Sequence, residues 1–569
     1  MGPSGSTRAP TGSGPPIHHP SRAPSLESIP VLITTPETFS AAEQDILRRY
    51  FTNLDEPVFA LVNLPEVVKG ALFARYSRSA KSLRRLFLDE FVDELDVSGD
   101  RGVDATVGLD RAEKLYEKVF LEYGDDSVAQ LGGVHLACEQ ASNLLTKILE
   151  RGRLMSYLEQ STRYIAYDAR LEGRYRYHRD ADVLASSLGT RYVGDMDRLF
   201  DAYSEVFAGV VEHSRRAFPK DPDDSDMVWR SAIRAKALDA SRGILPAAAL
   251  SNVGIYASGQ AYEALILRMR AHPLPEAQAY AELMLQELRK VIPSFLTRLD
   301  RPERGGAWVE YLATSREDTA LVASELFSGE LDDALEETAP PQVQLVDFDP
   351  DGEDKVIAAM VYESVDIPEW RIYDRVRTMA ADDKARIVAA YVGERLNRRH
   401  KPGRAFERTD YRFDVLSDYG AFRDLQRHRM LTIEWQPLSP AHGYVLPSLV
   451  AEAGERPRFE AAMERSAELF DAMVDRFAEQ ASYAVALAYR IRYVMQFNAR
   501  EAMHMLELRS SPQGHPEYRR VAQSMHRLIA EQAGHKILAD SFCFVDHSDI
   551  ELERLESERR AEQRRQART

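Results

Sequence analysis

PVFALVNLPEVVKGALFARYSRS, opening at Pro57, and PQVQLVDFDPDGEDKVIAAMVYES, opening at Pro341, are written in one grammar. Each starts with a run of β-branched and apolar residues long enough for one short strand, then continues into a stretch whose apolar residues recur at helical spacing. A second pair of passages closes the pattern. QAYEALILRMR ends at Arg270 and REAMHMLELR ends at Arg509, each a helix finishing on an arginine and leading into a longer helical stretch. The openings lie roughly 280 residues apart and the closings roughly 240, which is self-similarity at the scale of a domain. The chain reads as two diverged copies of one α+β unit, dominated by helices and carrying a few strands such as VQLVDF and the segment around Tyr411 and Phe413.

Between the copies, GELDDALEETAPPQVQ is acidic and then breaks on two prolines, which marks a linker near residues 329–342. One domain is expected over residues 29–335 and the other over 338–550. Residues 1–28 are rich in Gly, Pro and Ser and are expected to be disordered, because they cannot bury enough apolar surface to offset the entropy of ordering. Residues 551–569 form a charged tail with almost no apolar face, read as a solvated helix end.

Of the 569 residues, 44% are hydrophobic and 29% charged, the balance of a globular protein with a large core. No apolar run reaches the length of a membrane span and no signal-peptide block opens the chain, so a cytoplasmic protein is expected. A formal charge of −17 argues against broad binding to nucleic acid. An anionic ligand must therefore meet a local arginine cluster. Two cysteines far apart, Cys138 and Cys543, exclude a disulfide framework and a cysteine-based zinc site, and no metal is expected. Cys138 reads as a buried helix residue and Cys543 as a core residue. Nothing resembles a Gly-rich dinucleotide fingerprint or a phosphate loop.

Three passages can carry chemistry. RGRLMSYLEQSTRYI, residues 151–165, concentrates arginines and hydroxyls; Arg163 and Ser161 could hold a phosphate by charge-assisted bonds while Glu159 orients a sugar or base. A salt-bridged surface face is the competing explanation. LQRHRM sets Arg427, His428 and Arg429 in succession, suited to pyrophosphate or flavin, although taken alone it reads first as a basic surface patch. In NAREAMHMLELR, Asn498 and Arg509 fall on one helical face and Arg500 and His504 on another, while Asn498 with Glu501 three residues later also reads as a helix cap.

Together these passages resemble the flavin-dependent thymidylate synthases, whose signature RHRxxSxNExSxRY is followed by an ARxxLP segment and a helix NLRxLxHFLxLR. The signature is divided between the copies. The first keeps Glu159, Ser161 and Arg163, with Gln160 and Thr162 between them, and Arg242 in SRGILP, but has Gly152 for the central His and Leu158 for the Asn. Its closing helix has Gly259, Ala261 and Leu265 where the family has Asn, Arg and His. The second copy keeps Arg427, His428, Arg429, Asn498, Arg500, His504 and Arg509, with Glu407 matching an upstream glutamate, but has Trp435, Pro437 and Ser439 where the family has Glu, Ser and Arg. Asp424 replaces the Gln that precedes RHR.

The resemblance implies two tandem copies of that family's fold, with small antiparallel sheets. It implies transfer of a one-carbon unit from methylenetetrahydrofolate to C5 of dUMP, with FAD as the redox cofactor and NADPH as reductant. Family members are homotetramers with sites between subunits, and the losses here follow that division. Glu159, Gln160, Ser161, Thr162, Arg163, Arg242 and Arg427 are expected to bind nucleotide; Arg427, His428, Arg429, Asn498, Arg500, His504 and Glu407 are expected to bind FAD. Arg509 is the candidate catalytic residue, stabilising charge on the base and also binding substrate. A homodimer with pseudo-tetrameric arrangement is expected. Another pyrimidine nucleotide as substrate, or a non-catalytic member of the fold, are the alternatives.

Overall fold

The computed structural model describes residues 32–90, 133–327, 342–550 and 552–567, apart from residues 36, 65 and 77. The expected disordered opening, residues 1–28, lies outside them, as does nearly all of the expected linker. Strands β1 (Val58–Leu61), β2 (Gly133–Ser142), β3 (Met155–Glu159) and β4 (Leu250–Ser258) form an antiparallel sheet in the order β1-β2-β4-β3. Strands β5 (Val343–Phe348), β6 (Asp410–Asp418), β7 (Thr432–Trp435) and β8 (Arg490–Asn498) form a second in the order β5-β6-β8-β7. The repeated order is the duplication made visible. The fold is α+β, with the two small sheets set among helices.

Helices at equivalent places complete each unit. The first copy has α1 (Glu66–Tyr76), α2 (Asn143–Leu149), α3 (Gly189–Ala217), α4 (Asp226–Ser241), α5 (Gly259–Arg270) and α6 (Pro275–Arg289). The second has α7 (Gly352–Tyr362), α8 (Tyr419–Leu425), α9 (Arg456–Val474), α10 (Ala499–Arg509) and α11 (Pro516–Glu531), and α12 (Leu555–Gln566) lies in the tail. Both opening passages fold as a strand followed by a helix, and both closing passages as helices. The reason is local: α5 and α10 start on side-chain caps, Ser258 accepting from the Ala261 N–H and Asn498 from the Glu501 N–H.

The copies interlock about an approximate two-fold exchange of backbone bonds. Ala247 N–H donates to Val485 at 2.8 Å and Leu487 N–H to Leu245 at 2.9 Å; Ala248 N–H donates to Tyr483 at 3.0 Å and Ala488 N–H to Gly243 at 2.8 Å. In α3, Tyr192, Met196, Leu199, Tyr203, Val206 and Val210 are buried at helical spacing. That stripe faces α9, with Arg465 reaching Asp195 at 3.1 Å. One apolar core runs through both copies. Among the described residues, no helix is long and apolar enough to cross a membrane.

Both cysteine placements differ from expectation. Cys138 is buried, but in strand β2, where it pairs with Val58 on one side and Val253 on the other. Cys543 is exposed, its Sγ 3.8 Å from Arg395. The tail is helical over Leu555–Gln566 with no fully buried residue, but Glu553 and Arg554 just before it are buried.

Candidate functional site

Strand β3 ends on Glu159, and the chain then turns through residues 160–165 across the end of β4, with Gln160 N–H on Asn252 at 2.8 Å. Facing this turn is α8, started by Asp418, whose carboxylate caps the Ala421 N–H at 2.6 Å. Arg242 closes α4 and starts the next turn. These pieces line a cleft formed by Glu159, Gln160, Ser161, Thr162, Arg163 and Arg242 of the first copy and Gly420, Arg423, Asp424 and Arg427 of the second. All five residues of the ExSxR passage share this cleft with Arg427, the first residue of the RHR passage, within one chain.

Charge is dense there and almost wholly buried. Glu159 accepts from Arg423 Nη2 at 2.7 Å and from Lys147 at 3.2 Å, with Arg427 at 3.7 Å. Burial disfavours its charge, but these three cations outweigh burial and hold the carboxyl far below the usual range. Asp424 is ion-paired to Arg427, lies 3.4 Å from Arg242 and 4.0 Å from Arg509, and is likewise held well below the usual range. Arg163 grips Asp239 through two bonds of 2.7 and 2.6 Å and donates to the Tyr518 hydroxyl at 2.7 Å. Ser161 Oγ accepts from the Arg163 N–H at 3.2 Å. Arg242 is 3% exposed, and its Nη2 has no hydrogen-bond partner. A buried donor of that kind asks for an anion or a water.

Arg509 reaches the same centre from α10. Its guanidinium lies 5.5 Å from the Tyr518 ring, as does that of Arg163, and its Nε–H donates to His428 Nε2 at 3.0 Å. His428 is held neutral, lowered to about 4 by burial and by Arg509. His504 approaches the other side of this group, its ring edge-on to His428 at 5.4 Å.

The remaining flavin candidates sit further out. Arg429 is exposed and donates to Met155 O at 2.6 Å and Ser156 Oγ at 3.2 Å. Arg500 bonds Pro402 O at 3.1 Å and Glu407 at 3.3 Å, and Glu407 also pairs with Arg404. Asn498 is the cap of α10. His428, Glu501 and His504 bring ligand-type atoms within 4.8 Å of one another, but the Arg509 charge beside His428 opposes a cation there.

The cleft itself encloses only about 20 Å³. A cavity of about 250 Å³ shares Arg242 and Gly420 with it and is bounded by Gly243, Asp418, His515 and Glu517. At the equivalent place in the other half, Tyr483 stands where this cavity has Gly243, its hydroxyl 2.7 Å from Glu276 and its ring 4.8 Å from His178. One half is filled by a tyrosine; the other is open.

The pairing register corrects one alignment. Leu250 lies opposite Ser142 and Arg490 opposite Asp418, so Ser258 rather than Gly259 matches Asn498. Gln260, Ala264 and Met269 then match Arg500, His504 and Arg509, and Arg270 has no equivalent role. Glu159 opposite Val253 and Trp435 opposite Tyr493 keep the expected match of Glu159 with Trp435. Sequence reading missed Lys147, Asp239, Arg423, Tyr518 and Arg554. Arg554 stacks over Tyr164 at 4.3 Å, donates to Arg163 O at 3.2 Å and lies 3.6 Å from Asp239.

A family model described as thymidylate synthase complementing protein matches residues 72–294 and 344–533, one segment in each copy. A UPF0159 protein of Chlamydia pneumoniae is 39% identical over 532 residues, covering 92% of this chain and 98% of its own. A UPF0159 protein of Thermoplasma acidophilum is 31% identical over 517 residues, covering 86% and 97%. Among solved structures, a flavin-dependent thymidylate synthase of Helicobacter pylori complexed with FAD and dUMP is 16% identical, with a TM-score of 0.27 over 35% of this chain and 99% of that one. With a matched segment in each half, this chain belongs to the thymidylate synthase complementing protein family, in a tandem-duplicated and diverged form.

Proposed function

We propose that this protein is a FAD-dependent thymidylate synthase with one composite site per chain, methylating C5 of dUMP with a one-carbon unit from methylenetetrahydrofolate and with NADPH as reductant. The observation that carries this reading is the meeting of Glu159, Arg163 and Arg242 from one copy with Arg427 and Arg509 from the other. Neither copy holds that set alone.

The donor set suits the ligands. Arg242 has a buried unpaired Nη2, which fits a substrate phosphate, and Ser161 and Arg163 add a hydroxyl and a second guanidinium. Arg427, Arg429, Arg500 and His504 present cationic and ring donors to partly exposed surface, which fits the pyrophosphate and ring edges of FAD, with His428 and Asn498 beneath them and Glu407 holding Arg500. When bound, FAD supplies the hydride that completes the methyl group.

The protein's own part is electrostatic. Arg509, anchored through Nε to His428, stabilises negative charge as it develops on the pyrimidine, and Glu159 orients the nucleotide beside Arg427. Tyr518 and the buried walls exclude water around Arg163 and Arg509. Cys138 takes no part: it is sealed in β2, where burial raises its pKa. A cytoplasmic homodimer in which two chains supply four units completes the proposal.

Asp424 favours a second reading. A carboxylate among the nucleotide-binding arginines suits a related pyrimidine nucleotide that offers it a donor. The test is loss of label from C5-deuterated dUMP when the yellow protein receives folate and NADPH. Retention of the label together with turnover of another nucleotide would select the second reading, and a colourless protein that binds neither would refute both.

A further inference from the structure

An arginine Nε–H can only donate, so the His428 Nε2 that receives it from Arg509 at 3.0 Å must carry no proton. The ring's single proton therefore sits on Nδ1, which lies 2.8 Å from Glu501 Oε1. Both side chains are buried. Glu501 is three residues after the cap Asn498, yet its side chain turns to His428 and, through Oε2, to His504 Nδ1 at 3.3 Å. Its backbone N–H alone serves the cap. Capping therefore does not account for the carboxylate.

We infer that Glu501 is a positioning residue: by accepting from Nδ1 it fixes the His428 tautomer, and through that tautomer it sets the orientation of Arg509. This rests on the role proposed above for Arg509. With Nε spent on His428, the two Nη groups are left for the side of Asp424 and Tyr518, one of them 4.0 Å from the Asp424 carboxylate and the guanidinium carbon 5.5 Å from the centre of the Tyr518 ring. Were the His428 proton on Nε2, two donors would face each other and Arg509 would swing out. The relay has the logic of a carboxylate that holds a histidine in one tautomer for a third group.

The test uses full-length protein with 15N-labelled histidine, the His428 signal being the one lost in His428→Asn. The wild type is expected to show Nδ1–H, Glu501→Met to lose it, and Glu501→Gln, which keeps an acceptor oxygen, to retain it. Turnover should follow: Glu501→Met lowers kcat about 100-fold, as expected when a reacting group is displaced by an ångström. KM for dUMP should move much less, and adding Glu501→Met to Arg509→Lys should cause little further loss. Nε2–H in the wild type, or full additivity with Arg509→Lys, would overturn the inference. If Glu501→Met fails to fold, the wild-type spectrum decides it, Nδ1–H supporting the relay and Nε2–H overturning it. A protein that shows the Nδ1–H pattern but never converts dUMP would leave the relay standing and remove the functional reading.

Discussion

Arg423, in the second copy, donates from Nη2 to the Glu159 carboxylate of the first at 2.7 Å, and both side chains are buried. The bond ties the end of β3 to α8 and thereby fixes the two halves of the cleft against each other. Removing Arg423 takes away the nearest counter-ion of a buried carboxylate and leaves Lys147 at 3.2 Å and Arg427 at 3.7 Å, so the cost is about 2 kcal/mol, below that of breaking an isolated buried pair. Arg423→Met should lower the urea midpoint accordingly, and Arg423→Met with Glu159→Met should recover part of the loss. Equal midpoints for wild type and Arg423→Met would show that the pair does not join the copies.

Arg163→Ala and Arg427→Ala should each abolish detectable dUMP binding by calorimetry, because each removes a cation that its own copy cannot replace. Arg151→Ala is the control. Its side chain pairs with exposed Glu434 at 2.9 Å and stacks over Trp435, so its loss should change binding by less than about 1 kcal/mol. Unchanged affinity in Arg163→Ala would sink the shared site.

Asp424 neutralises part of the charge of Arg242, Arg427 and Arg509. Asp424→Asn keeps the shape and raises the positive potential of the cleft, so a nucleotide monophosphate should bind about tenfold tighter, with a steeper dependence on salt. Weaker binding would mean that Asp424 contacts the ligand as an acceptor.

The motif residues were legible because their spacing is local. ExSxR, RHR and the capped helix at Asn498 are each read within a dozen or so positions. The partners that complete the site were not, because sequence does not say what a helix face meets. Arg163 and Tyr518 are 355 positions apart, Arg423 and Glu159 264, and Arg554 and the Arg163 carbonyl 391. The helix assigned to Cys138 was a strand, since an apolar run buried on both faces carries neither period clearly. The one-residue shift in the closing helix arose from matching Arg270 to Arg509; only the β2·β4 and β6·β8 registers fix that alignment.

Acid should destabilise the fold in two steps. Burial lowers His428 from 6.5 to about 4 and His515 to about 3, so between pH 6.5 and 4 the unfolded chain takes up protons that the folded chain refuses. Their stabilisation is full above pH 6.5 and falls by about 1.4 kcal/mol per pH unit for each histidine. Asp418, raised to about 6 by burial, works in the opposite sense below that pH. Glu501, lowered to about 2 because bonds from His428 and His504 outweigh its burial, adds a loss below about pH 4.5. His428→Asn should flatten the slope between pH 6 and 5 by one proton's worth; an unchanged slope would contradict a neutral buried His428.

The most direct measurement is co-expression of Arg163→Ala and Arg427→Ala chains under different tags, with purification through both tags and titration with dUMP. A site completed within each chain predicts no binding, since every chain in the mixture lacks one of its own arginines. Recovery of binding in the mixed assembly would mean that intact halves meet across chains, and would contradict the single-chain site.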